Sequence, residues 1–107
     1  MDVNDRIRNT LAEHSIVLFM KGTPQLPMDG CSHRAVGALV SAGADFHGVN
    51  VLADPEVRAV LPQFSNFTTF PQLFIRGALI GGCDIIEDLQ RAGELARMAR
   101  DVAGPAP

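Results

Sequence analysis

The chain has 107 residues, 47% of them apolar and 20% charged, which is ordinary globular composition and enough for one closed core in a single domain spanning 1–107. A net charge of -3 argues against broad nucleic-acid affinity, which needs a basic surface, and no apolar run approaches the roughly 20 residues of a membrane span. Two cysteines are too few for a disulfide scaffold, and the opening Met-Asp-Val-Asn-Asp-Arg lacks a signal-peptide pattern, so a reduced, cytoplasmic setting is expected.

In chain order, residues 2–13 read as an amphipathic helix, with Ile7, Leu11 and Val3 on one stripe. Residues 15–20 form a wholly apolar run, as expected of a central strand covered on both faces. A loop follows from Lys21 to Met28, punctuated by Gly22, Pro24 and Pro27. A helix is expected over 30–42, stopped by Gly43. Residues 45–51 read as a second strand, weakened by Gly48. Asp54-Pro55-Glu56 is a strong helix start, with an N-cap, a proline at the first helical position and an acid in the first turn. Pro62 is expected to bend or shorten that helix.

Residues 70–76 and 78–80 read as a hairpin joined by Arg76-Gly77. Gly81-Gly82 ends it, a helix over 84–91 follows, and a last helical turn or two is expected over 94–102, with a frayed tail at 103–107. This order predicts an α/β protein, a mixed four-stranded sheet with helices on both faces.

Chemistry concentrates where the first strand runs through its loop into the second helix. A helix N-terminus holds anions and stabilises thiolates. Asp29 and Cys31 both sit there, and Lys21, the chain's single lysine, precedes them. Asp29 reads either as an N-cap or as an oxygen ligand to a metal. Successive helical residues turn about 100°, so a sulfur at 31 is expected roughly 200° round from position 29, on a different face. Cys31 is then either an inert small apolar residue or a reactive thiol. Gly81-Gly82 lets backbone approach a ligand, and the free N–H groups of Cys83 and Asp84 suit a carboxylate. His14, His33 and His47 share no metal-ligand spacing.

Four stretches together resemble one family. Val17–Pro27, Asn50–Arg58, Ser65–Leu73 and Gly81–Ile86 are similar to the first strand and loop, the second strand and helix start, the Thr-x-Pro segment and the Gly-Gly-Cys-Asp motif of monothiol glutaredoxins. The resemblance spans roughly residues 2–100 and implies the thioredoxin fold. It departs at the centre. The family's Cys-Gly-Phe-Ser reads Asp29-Gly30-Cys31-Ser32, and Phe67-Thr68 stands where Trp-Pro is usual.

The resemblance implies a glutathione site. Lys21 and Arg58 would meet the glycine carboxylate. The backbone of Phe70, ahead of Pro71, would pair with the peptide, provided that proline is cis; a trans proline at a strand start is the alternative. Gly82, Cys83 and Asp84 would hold the γ-glutamyl end. The resemblance also implies a [2Fe-2S] cluster, shared by a homodimer with two glutathiones or with a BolA-like partner, and passed to acceptor proteins. With aspartate at the usual cysteine position, the cluster ligand would be Asp29 or a repositioned Cys31. Two other functions stay open: a glutathione-dependent thiol–disulfide oxidoreductase using Cys31, and a non-catalytic binding module.

Overall fold

The structure is a computed structural model and describes residues 1–103. Its order is α1 (Val3–Glu13), β1 (Ile16–Met20), α2 (Gly30–Ser41), β2 (His47–Asn50), α3 (Pro55–Ser65), β3 (Gln72–Ile75), β4 (Ala78–Gly81), α4 (Cys83–Arg91) and α5 (Glu94–Ala103). The sheet runs β2-β1-β3-β4, with β1 and β2 parallel and the other two pairs antiparallel. This is the expected mixed sheet, in the thioredoxin fold.

The apolar run of β1 explains the layering. All five residues are buried, because alternate side chains enter different cores. Ile16, Leu18 and Met20 join Leu73 and Ile75 against α2, α4 and α5. Val17 and Phe19 join Phe74 against α1 and α3, and Phe19 meets Phe74 edge-on at 5.5 Å. Each such buried side chain stabilises the fold by about 1.5–3 kcal/mol relative to exposure.

The helix starts follow from local chemistry. Asp2 and Asp5 cap α1 reciprocally. Asp54 accepts from the Val57 N–H, and Pro55 opens α3. The β3–β4 turn has positive φ at both Arg76 (50°) and Gly77 (77°), the geometry that matches the twist of a two-residue hairpin.

Several boundaries differ from expectation. The strands at 45–51 and 70–76 shorten to His47–Asn50 and Gln72–Ile75, because the flanking residues turn away to make loops. Pro62 does not shorten α3, which continues to Ser65 around it. It removes only the N–H that the Arg58 carbonyl would accept, late in a helix already held by buried Val57 and Leu61. The last helix, expected over 94–102, runs one residue further to Ala103, with Leu95 and Ala99 burying one side of it. Of the expected frayed tail, Ala103 closes α5, and 104–107 lie outside the described residues.

Because β1 and β3 are antiparallel, with Phe19 opposite Gln72, the loop after β1 and the segment before β3 emerge at one end of the sheet.

Candidate functional site

At that end a cleft of about 820 Å³ opens between the loop, α3, the segment 67–71 and the start of α4. The loop is tied down by its own backbone. The Met28 N–H donates to the Lys21 carbonyl at 2.9 Å, Thr23 and Leu26 bond each other both ways, and Gly22 pairs with Pro27. Asn50 accepts the Gly22 N–H at 2.9 Å through its side-chain oxygen. Gly48, expected only to weaken β2, has a second reason to be glycine: a Cβ there would lie 2.6 Å from Pro24 Cγ, so the bare backbone seats that proline.

Asp29 is the N-cap of α2. Its Oδ1 accepts the Ser32 N–H at 2.8 Å, and its Oδ2 lies 3.8 Å from Lys21 Nζ. Ser32 is fully buried, and its Oγ accepts the Lys21 N–H at 3.1 Å, which locks the start of the loop to the first turn of the helix. Opposite, α4 begins at Gly82 with no side-chain cap, so its first N–H groups are left to the cleft or to water. A Cβ on Gly82 would approach the Phe67 ring to 3.2 Å.

The wall from 67 to 71 is held from beneath by Gln72. This fully buried amide donates through Nε2 to the carbonyls of Phe67 at 2.7 Å and Thr69 at 3.1 Å. The Phe70–Pro71 peptide is cis.

Arg34 joins the two helix starts. Its Nη2 contacts Cys31 Sγ at 3.2 Å and Cys83 Sγ at 3.3 Å, while Nη1 donates to Glu87 Oε1 at 2.8 Å. The contact with Cys31 pushes the guanidinium further above its usual value. Burial, reinforced by the neighbouring Cys31, pushes the Cys83 thiol up to about 11, against a weaker opposing pull from Arg34.

A family model described as Glutaredoxin matches residues 16–80. Glutaredoxin 4 of Escherichia coli K12 is 43% identical over 99 residues, covering 92% of this chain and 86% of that protein. The probable monothiol glutaredoxin GrlA of Legionella pneumophila is 53% identical over 85 residues, covering 79% of this chain and 96% of its own. The chain belongs to the monothiol glutaredoxin family. Among solved structures of that family's fold, reduced apo GrxS14 from poplar superposes with a TM-score of 0.81 at 37% identity, covering 94% of this chain and 93% of that one.

For a glutaredoxin-family chain the placement of the expected residues is orderly in all but one respect. Lys21, Arg58, Phe70, Pro71, Gly82, Cys83 and Asp84 all line the one cleft. Arg58 projects from α3 and has no carboxylate partner among the described residues. The exception is the pair at 29 and 31. Cys31 lines the cleft, whereas the Asp29 carboxylate is occupied by the cap and by Lys21, so the two side chains lie on different faces and the sulfur takes the cleft side. Position 29 is the cap and not yet helical, with an extended φ of -150° and ψ of 168°, which turns its carboxylate back onto the first turn of α2.

Ser32, Arg34 and Gln72 were missed. Ser32 and Gln72 carried a signal only in hindsight, as polar residues at positions that the fold buries. Arg34 carried none beyond its spacing of three from Cys31. Outside the cleft, His14 and His47 stack at 3.9 Å, brought together by the fold rather than by spacing.

Proposed function

We propose that this chain binds glutathione in the cleft and carries a [2Fe-2S] cluster in iron–sulfur assembly or transfer. The observation that carries the reading is the convergence on one cleft of the seven residues that family resemblance assigns to glutathione. Lys21 and Arg58 offer positive charge to one carboxylate. The uncapped start of α4 at Gly82–Cys83 offers N–H groups to the other, and Asp84 offers an anion to the ammonium. The backbone of Phe70 pairs with the extended peptide between them.

The donor set fits a cluster only in part supplied by this chain. Among the described residues no three His, Cys, Asp or Glu side chains come together as a metal cage, so further ligands would come from glutathione thiols and a second subunit, or from a BolA-like partner. Within the chain, Cys31 is the better ligand. It is a soft thiol lining the cleft, whereas Asp29 is a hard carboxylate already capping α2. The cluster would be handed to acceptor proteins, in the cytoplasm.

Calorimetry tests the glutathione site, and absence of binding rejects it. Anaerobic reconstitution with iron, sulfide and glutathione tests the carrier. Cluster absorbance lost in Cys31→Ser and kept in Asp29→Ala is expected. The reverse pattern assigns the ligand to Asp29, and a colourless wild type rejects the carrier reading.

The thiol in the cleft also favours a second reading, a glutathione-dependent thiol–disulfide oxidoreductase using Cys31. Unchanged turnover in Cys31→Ser would sink it. Glutathione binding with neither cluster nor turnover leaves a non-catalytic binding module.

A further inference from the structure

The chain's two cysteines, far apart in sequence, meet on one guanidinium nitrogen. Cys31 is the second residue of α2 and Cys83 the first of α4, helices that share one core. Both thiols are free. Arg34 Nη2 lies 3.2 Å from one sulfur and 3.3 Å from the other, and its second nitrogen is anchored on Glu87, with Asp84 Oδ1 further off at 4.0 Å. We propose that Cys31 and Cys83 form a redox pair that closes into an internal disulfide across the α2–α4 contact, with Arg34 as a positioning residue that favours the open, reduced pair. The proposal rests on where the sulfurs lie and holds whether or not the cleft takes glutathione or a cluster.

The oxidant is a low-molecular-weight disulfide. Both cysteines line the cleft, but Cys31 is half-buried and Cys83 buried, so Cys31 is reached first. The Cys31 thiol gives up its proton and its sulfur attacks one sulfur of the small disulfide. The S–S bond of the reagent breaks, and the released thiol takes the proton. Cys83 then loses its proton and attacks Cys31 Sγ, and the second reagent thiol leaves with that proton. Two protein thiols are oxidised to one disulfide, and one small disulfide is reduced to two thiols.

Arg34 sets the balance. An N–H donor shared by two sulfurs stabilises them as thiols or thiolates and is a poorer partner for a disulfide, so it holds the pair reduced. Closing the bond would also remove Cys31 from any other chemistry in the cleft.

The test is equilibration of the purified chain in buffers of oxidised and reduced dithiothreitol, acid quenching, alkylation and intact mass. The expected product is a monomer lighter by two hydrogens that takes up no alkylating agent, and it is absent from Cys31→Ser and from Cys83→Ala. Arg34→Ala is expected to shift the equilibrium about fivefold toward the disulfide, as loss of a half-exposed charged contact implies, with Arg34→Lys restoring part of the shift. Two alkylatable thiols in wild type under excess oxidised reagent, or a covalent dimer in place of the closed monomer, overturns the pair. An unchanged equilibrium in Arg34→Ala overturns the role of Arg34. Calorimetry with glutathione on the same samples reads the glutathione site separately, so failure of one is not failure of the other.

Discussion

Two helices begin at the cleft, and they begin differently. The start of α2 is closed: Asp29 caps it, Lys21 leans on the same carboxylate, and Ser32 is buried beneath. The start of α4 has glycine at the cap position and no side chain bonded to its N–H groups. One terminus spends its acid on the fold, whereas the other keeps its acid, Asp84, exposed and its amides free. The sulfurs are distributed in the opposite sense. The accessible one belongs to the closed terminus and the buried one to the open terminus. Family membership alone does not predict this division, since it follows from aspartate standing at 29.

The sharpest test of that contrast is thiol reactivity. With its thiol pushed up to about 11 and its side chain buried, Cys83 should be alkylated at neutral pH more than about tenfold more slowly than an ordinary exposed thiol, and after Cys31. Peptide mapping after timed iodoacetamide treatment checks this. Equal rates would erase the distinction between the two termini. Next in size, Asp84→Ala should weaken glutathione binding about tenfold by calorimetry, while Asp29→Ala leaves it within about twofold. Stability should respond the other way. Asp29→Ala should lower unfolding free energy by about 1 kcal/mol in urea, and Asp84→Ala by less than about 0.5 kcal/mol.

A third helix start gives the smallest effect and a pH dependence. The hydrogen bond from Arg6, at 2.9 Å, holds the α3 cap Asp54 below the usual carboxylate range. Its contribution is therefore present above the unfolded-state value and is lost as pH falls through the lower folded-state value. Denaturant midpoints between about pH 5 and pH 2 should fall less steeply in Asp54→Asn than in wild type.

The fold was legible wherever its cause is local. The unbroken apolar run of β1, the Asp54-Pro55 start and the Arg76-Gly77 turn each carry their structural meaning in a few adjacent residues. The cleft was legible through motifs, which is why its seven expected residues coincide. The missing parts depend on contacts between distant segments. Nothing near Arg34 announces that Cys83 will lie beside it, and Gln72 reads as one more strand residue until the carbonyls of Phe67 and Thr69 are above it. Which of positions 29 and 31 faces the cleft depends on the cap, where the Asp29 carboxylate turns to Ser32 and Lys21 and leaves the cleft side to the sulfur.

The loop of residues 21–28 has a consequence of its own. With its backbone bonded across itself, its Gly22 amide held by Asn50 and its Pro24 ring resting on Gly48, it is held by the protein's own contacts and has little freedom left to lose. Any ligand that settles against this wall therefore meets little further ordering entropy, and affinity depends mainly on the contacts themselves. Gly48→Ala would loosen that arrangement without touching a single cleft residue. The expected sign is a more negative binding entropy, with the enthalpy largely kept.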